Sequence, residues 1–407
     1  MIRIAIVGLL PFPEGGAPTS RLRSISLGLM EAGTQVKVFA FQSAENLEHL
    51  EEKISWHGID CSLYKTSSNA FKSQHNITFQ QILKFFGGKR ILLDGFNRMF
   101  PKIEYLCKNN LIDAVIFYNQ DSEFAIKLIQ ICKKYNIKYF QLFAELQLLQ
   151  DITIGLIPYW FRQQIHIRKI PSLSNGNIVI TSYLQKICMK NGANSTLIIP
   201  AITNTEIPIN SITSKTTSNK TFTFTYSGMG GRRDNISLII DAASILKNAN
   251  YSFKILLIGL NEKIMENISI YVRKLGLENF IEINGWVSDS VLWRTYQKSD
   301  AFLLLRTNDQ SSKACFPTRL PEYLTYGKPV ILSAVGDFLL YFNDMENALF
   351  VNSNNAREVS KKMALLIEDH ELGIRIGKNG RELVNEVFHY RVQGKKLYEY
   401  INMEITK

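Results

Sequence analysis

Cysteine is scarce in this chain and poorly spaced for chemistry. There are five in 407 residues, at Cys61, Cys107, Cys132, Cys188 and Cys315, with no CxxC pair. An odd number without that spacing excludes a disulfide framework and fits the reduced, mostly buried thiols of a cytosolic protein. The six histidines form no HxxxH or HExxH pattern, so no metal centre is expected. No apolar run is long enough to span a bilayer. Met1–Leu10 is apolar but is broken at once by Pro11, Pro13 and two glycines, and it reads as a first strand rather than a signal peptide. Long basic runs and nucleic-acid motifs are also missing. The formal net charge is nevertheless +11, which favours an acidic partner. Because the Lys and Arg are scattered, phosphates or an anionic membrane surface fit better than nucleic acid.

What is present has the balance of a soluble globular protein, 46% hydrophobic and 20% charged. The length suits two domains of ordinary size. Apolar runs of strand length alternate with stretches of helical period. Ile2–Gly8, Gln35–Phe41, Ile59–Tyr64, Asp113–Tyr118, Ile137–Phe143 and Asn177–Thr181 read as strands, with helices such as Ser20–Ala32 and Ser122–Tyr135 between them. Continuous runs such as Ile-Ala-Ile-Val suit strands buried on both faces, and strand–helix alternation means a parallel sheet covered on both sides. Residues 201–220 lose the apolar period and fill with Thr, Ser, Asn and Lys, as a linker does. The alternation restarts with Thr221–Ser227, the helix Asp234–Asn248, and the strands Ser252–Gly259, Phe280–Gly285, Ala301–Arg306 and Val330–Ser333. This predicts an α/β protein of two Rossmann-like domains, 1–203 and 204–385. The helical pattern near Asn379–Met403 carries the end of the chain, 386–407, back to the first domain.

Ligands of open α/β sheets bind beyond the carboxyl ends of the strands, which directs attention to four segments. In the turn-helix unit CFPTRLPEYLTYGKPVILS (315–333), the start of the helix suits a phosphate and Glu322 suits a ribose diol. Thr318 is a candidate cap, Arg306 ends a buried strand, Arg319 follows the turn, and Asp309, Ser311, Ser312 and Lys313 form a polar loop. In YSGMGGRRDN (226–235), Gly228, Gly230 and Gly231 leave room for an anion, Arg232 and Arg233 offer paired donors to diphosphate oxygens, and Asp234 is the expected N-cap. In LLPFPEGGAPTSRLR (9–23), Gly15-Gly16 permits close backbone approach, Thr19 or Ser20 is the expected cap, and Arg21 and Arg23 add positive charge. Glu145, at the carboxyl end of the run Ile137–Phe143, is either an acid facing an acceptor hydroxyl or a surface acid, and Asp121 has the same two readings. Two further segments, Phe79–Leu93 and Leu156–Ile170, mix bulky apolar residues with cations. Each is either a core helix with a basic outer face or a contact for an acidic bilayer. Trp286 reads as a core residue.

Taken in order, five blocks resemble the GT-B-fold retaining glycosyltransferases of family 4. They are IRIAIVGLLPFPEGG, FTYSGMGGRRDNISLIIDAASIL, FIEINGWVSDSVLWRTYQKSDAFLLLR, FPTRLPEYLTYGKPVI and the closing ELVNEVFHY with its final helix. The resemblance implies two domains facing across a cleft and a nucleotide diphosphate sugar as co-substrate, with no other cofactor and no metal. It places Glu322 at the ribose, and the turn Phe316, Pro317 and Thr318 with the loop Gly230, Gly231, Arg232 and Arg233 at the diphosphate; Arg319 is a further donor-binding candidate. Gly15 and Gly16 fall near the phosphates and the acceptor. It makes Arg232, Arg233 and Glu145 the catalytic candidates. The implied acceptor is a glycan or lipid-linked glycan in cell-surface polysaccharide synthesis, handled in the cytoplasm or at the inner face of the membrane. Three positions depart from the family pattern: Ala314 replaces the first acid of Glu-x7-Glu, Met229 and Asp234 fall where an Arg and a Lys are frequent, and Glu145 lies near the position of an acceptor-side His. These departures keep a catalytically silent relative, binding a nucleotide sugar or a partner protein, open as the alternative. A sugar-nucleotide epimerase ranks below it.

Overall fold

The computed structural model describes residues 1–43, 51–66, 97–146, 148, 157–203 and 221–407. The segment Phe79–Leu93 and most of the expected linker lie outside the described residues. The chain divides into two compact units. The first comprises Met1–Thr203, Ala314–Phe316 and His389–Lys407, and the second Asn204–Lys313 and Pro317–Phe388.

The first unit is built on a sheet of β1 (Arg3–Pro11), β2 (Gln35–Ser43), β3 (Glu51–Trp56), β4 (Ile59–Thr66), β5 (Ala114–Tyr118), β6 (Lys138–Phe143), β7 (Gly176–Val179) and β8 (Thr196–Ile198). Their order is β3-β4-β2-β1-β5-β6-β7-β8, and every neighbouring pair is parallel except β3–β4. β5 is buried along its whole length, as its unbroken apolar run requires. Edge strand β3, EEKISW, mixes half-buried and exposed positions, with Glu52 and Lys53 exposed, and such charge protects a sheet edge.

The second sheet contains β9 (Phe222–Ser227), β10 (Phe253–Ile258), β11 (Ile281–Asn284), β12 (Ala301–Leu304), β13 (Val330–Ser333) and β14 (Leu349–Val351). All its pairings are parallel, in the order β11-β10-β9-β12-β13-β14. Counted within the sheet this is 3-2-1-4-5-6, so the direction of winding reverses between β9 and β12.

The C-terminal pattern is not one helix. The helix His370–Leu383 runs into a π-turn at Val384–Phe388, and the chain then extends at His389 before the helix Tyr390–Thr406. His389 pairs with Thr203, and its Nδ1 accepts from Arg391 N–H at the new helix start. The last helix packs on Ala17–Glu31. Glu31 accepts from Tyr390 Oη and from Arg391 Nε, each at 2.6 Å. Gly28 and Gly394 meet backbone to backbone at this crossing, where a Cβ on Gly394 would lie 2.3 Å from the Gly28 carbonyl.

Candidate active site

The carboxyl ends of β9 and β12 flank the reversal point of the second sheet, and the chain knots two loops together there. Asn235 N–H donates to Leu305 O at 3.0 Å and Thr307 N–H to Arg233 O at 3.1 Å, while Asp234 and Arg306 form an isolated antiparallel bridge. The glycine-arginine loop after β9 and the polar loop after β12 thus form a single surface.

Asp234 is not the helix cap. That position belongs to Asn235, whose side chain makes no cap bond and donates instead to Ser353 O at 2.8 Å. The Asp234 carboxylate lies inward between two arginines. Arg306 Nη1 donates to Asp234 Oδ1 at 3.1 Å, Arg319 Nη2 donates to the same oxygen, and Tyr226 Oη donates to Oδ2 at 2.9 Å. Burial alone would raise the Asp234 pKa, but Arg319 and Arg306 outweigh it and hold the group below the usual carboxylate value. The Arg319 guanidinium lies 4.9 Å from the Tyr226 ring centroid.

The glycines do different jobs. A Cβ on Gly228 would fall 2.1 Å from Arg319 Nη1, and one on Gly230 would meet Ile236, Leu260 and Ile264 at 2.9–3.0 Å. Only Gly231 faces open space, so room for an anion is left at one of the three positions rather than all.

Arg232 is half-exposed and pairs with Asp309 at 3.1 Å. Asp309 also accepts from Ser312 N–H at 2.8 Å and Thr307 Oγ1 at 2.9 Å, which winds the polar loop into the short helix Gln310–Lys313. Phe316 is buried. Pro317 leads into the helix Arg319–Thr325, which is only 7 residues long. Thr318 stands at its N-cap position but makes no cap bond. Tyr323 fixes this helix to the end of β9: its hydroxyl accepts from Ser227 N–H at 2.8 Å and its ring stacks on Phe302 with centroids 4.2 Å apart. Arg319 is thereby held beside Gly228, and Glu322 is left half-buried one position before the anchor. Burial, with the Glu322 charge as second cause, pushes the neighbouring Tyr326 hydroxyl up to about 12.

In the first unit the expected caps are corrected. Gly16 caps Ala17–Glu31, and Thr19 lies inside the helix, its hydroxyl donating to Pro11 O at 2.8 Å. A Cβ on Gly15 would strike that hydroxyl oxygen at 2.3 Å, so Gly15 is required by local packing. Arg21 adds no surface charge. It is 1% exposed and donates to the carbonyls of Pro200 and Ile199 at 2.7 Å each. Asp121 is a helix cap, accepting from Glu123 and Phe124 N–H. Glu145 is half-buried after β6, and its carbonyl accepts from Gln120 Nε2 at 2.6 Å. The helix Ile157–Leu173 buries Gln163, His166, Ile167 and Ile170 and exposes Phe161, Ile165, Arg168 and Lys169. Among the described residues no helix is long and apolar enough to cross a membrane. Trp286, expected in the core, is 85% exposed at the carboxyl end of β11.

Residues 210–383, less than half of the chain, match the family model described as Glycosyl transferases group 1. An uncharacterized glycosyltransferase of Methanocaldococcus jannaschii is 25% identical over 174 residues, 41% of this chain and 45% of that protein. The match therefore spans less than half of that curated relative. Among solved structures, a sucrose-phosphate synthase from Thermosynechococcus elongatus superposes with a TM-score of 0.74 at 16% identity, covering 100% of both chains. HepE of Anabaena, solved in complex with UDP, gives 0.69 at 14% identity, covering 99% of this chain and 100% of its own. The fold is GT-B.

Proposed function

We propose, from a GT-B chain whose second unit carries the group 1 glycosyltransferase pattern, that this protein transfers a sugar from a nucleotide diphosphate sugar to a hydroxyl acceptor. One observation carries the reading. The matched region winds as 3-2-1-4-5-6 and sets a glycine-arginine loop, two further arginines and a half-buried Glu at its reversal point. Such an edge is where open α/β sheets bind nucleotides. HepE, of like fold, was solved with UDP and with UDP-glucose, which supports a donor of that class.

Glu322 is the group for the ribose diol. Its carboxylate accepts two hydroxyl hydrogen bonds where the helix pinned by Tyr323 presents it. The diphosphate lies against Gly231, Arg232, Arg233 and the turn from Pro317 to Arg319, with Gly230 shaping the loop. In the transfer, the anomeric C–O bond to the diphosphate breaks and its electron pair stays on the phosphate oxygen. A new C–O bond forms from the acceptor oxygen, whose proton passes to the departing phosphate. Attack on the face the diphosphate leaves retains the anomeric configuration. This route asks the protein for cations at the leaving group and for orientation, not for a metal. Gly15, Gly16 and Glu145 of the first unit are the acceptor-side candidates. The acceptor is a glycan or lipid-linked glycan of cell-surface polysaccharide, with the exposed Phe161 and Ile165 beside Arg168 and Lys169 as a peripheral membrane contact.

The test is slow hydrolysis of UDP-glucose and GDP-mannose without acceptor, read as released nucleotide. One donor should turn over, and Glu322→Ala should raise its KM about 10-fold through lost hydrogen bonds to a charged acceptor. Equal KM in both proteins removes Glu322 from the site. Tight binding without turnover moves the reading to a silent relative.

A further inference from the structure

The glycine-arginine loop after β9 contains one neutral side chain, Met229, and one carboxylate, Asp234, beside its two arginines. Met229 is 63% exposed and contributes no charge. A lone carboxylate at this position would repel a departing diphosphate. Here it has drawn in two cations from later in the chain, Arg306 across 72 positions and Arg319 across 85.

The charges on the two arginines and Asp234 sum to one excess positive, and accessibility decides where it is felt. The Arg306 side chain is 6% exposed, Asp234 10% and Arg319 16%, so Arg319 is the outermost of the three. Arg306 Nε and Nη2 are buried and make no hydrogen bond among the described residues. Arg306 therefore reaches a ligand only through its field, but its charge cancels that of Asp234 and leaves the positive charge of Arg319 uncompensated. Gly228 completes the arrangement, because any side chain there would occupy the guanidinium's place.

We propose that Arg319 receives the departing diphosphate, and that Asp234 and Arg306 are positioning residues that set its guanidinium and its net charge. Arg232, already paired with Asp309 on the surface, is secondary. This rests on the nucleotide-sugar reading and names the group within it that contacts the leaving oxygens. As the anomeric C–O bond breaks, the electron pair gathers on the phosphate oxygen, and a planar pair of N–H donors is the best-matched receiver for it.

The experiment is calorimetric binding of UDP and UMP, and of GDP and GMP, to the full chain and to Arg319→Gln, Arg306→Gln and Arg232→Ala. The ratio of diphosphate to monophosphate affinity isolates the second phosphate from the nucleoside. Arg319→Gln should lower that ratio roughly 30-fold, as loss of charge-assisted hydrogen bonds does, while monophosphate binding changes less than about 3-fold. Arg306→Gln, which removes a charge sealed from the ligand, should lower the ratio by roughly 3- to 10-fold, and Arg232→Ala by less than Arg319→Gln. A purely structural ion cluster would lower both affinities together or neither. Should Arg319→Gln not fold, Arg306→Gln decides, and an unchanged ratio there overturns the proposal. A ratio that follows Arg232 instead also overturns it. Absence of any nucleotide binding by the unaltered chain overturns the nucleotide-sugar reading and this inference with it, whereas normal binding with an unchanged ratio in Arg319→Gln overturns the inference alone.

Discussion

Substituting Gly394 by Ala tests the contact that ties the last helix to Ala17–Glu31 within the first unit. The added Cβ would lie 2.3 Å from the carbonyl carbon and oxygen of Gly28 and 2.4 Å from its Cα. All three obstacles are backbone, so no rotamer change relieves them. Ordinary carbon contacts need about 3.5 Å, and the helices must part by about 1 Å to reach it. Overpacking of this kind costs about 1–3 kcal/mol. Parting also loosens the cluster that includes Leu22, Ile25, Leu29, Leu397 and Ile401. Ala in a helix interior returns up to about 1 kcal/mol relative to Gly, so the expected net loss is about 1 kcal/mol. A chain of two units need not unfold in one step, so the suitable assay is hydrogen exchange of the peptides spanning 17–31 and 390–406. Exchange there should speed up about 5-fold, the equivalent of about 1 kcal/mol in an opening equilibrium. Gly373→Ala is the control: its Cβ would meet only Leu366 and Pro329, at 3.5 and 3.7 Å, and it should be neutral or stabilising. If Gly394→Ala slows exchange in 17–31 and 390–406, helix propensity has won and the close crossing is refuted.

Three other expectations follow from particular side chains. His166 is buried against Phe143 and its pKa is lowered by burial to about 3. The unfolded chain binds that proton below about 6.5, so stability falls as pH drops through the window between the two values. The loss is roughly 2 kcal/mol at pH 5, and His166→Leu should remove that part of the difference between urea denaturation at pH 7 and at pH 5. Arg21→Met leaves the carbonyls of Ile199 and Pro200 buried without their donor and should cost about 2–3 kcal/mol in the same measurement. Gly228→Ala, at φ +146° and against Arg319, should displace that guanidinium and weaken UDP relative to UMP, with a direct strain cost of about 1–2 kcal/mol on the loop.

Period and composition made the strands with long apolar runs readable: β13 has the expected bounds, and β1, β2, β4, β5, β6, β9 and β10 differ from theirs by a few terminal residues. β8 and β14 are three residues each, too short for a period, and β3 carries charge on an edge. The break at His389 was hidden because helical pattern continues on both sides of it. At the candidate site, the glycine-arginine loop and Glu322 were legible as types at a sheet edge. The role of Asp234 was not, because an acid before a helix looks like a cap, and its true partners lie 72 and 85 residues away. Gly28 and Gly394 were likewise silent, since a glycine inside a helix shows its reason only when the other helix is present. Trp286 went wrong for the opposite reason: its size suggested the core, and the structure leaves it outside.

The most direct test of the account is calorimetric titration of the unaltered chain with UDP and with GDP. The account predicts saturable binding of one of them at a single site, lost or strongly weakened in Glu322→Ala. A folded protein that takes up neither at millimolar concentration would contradict it.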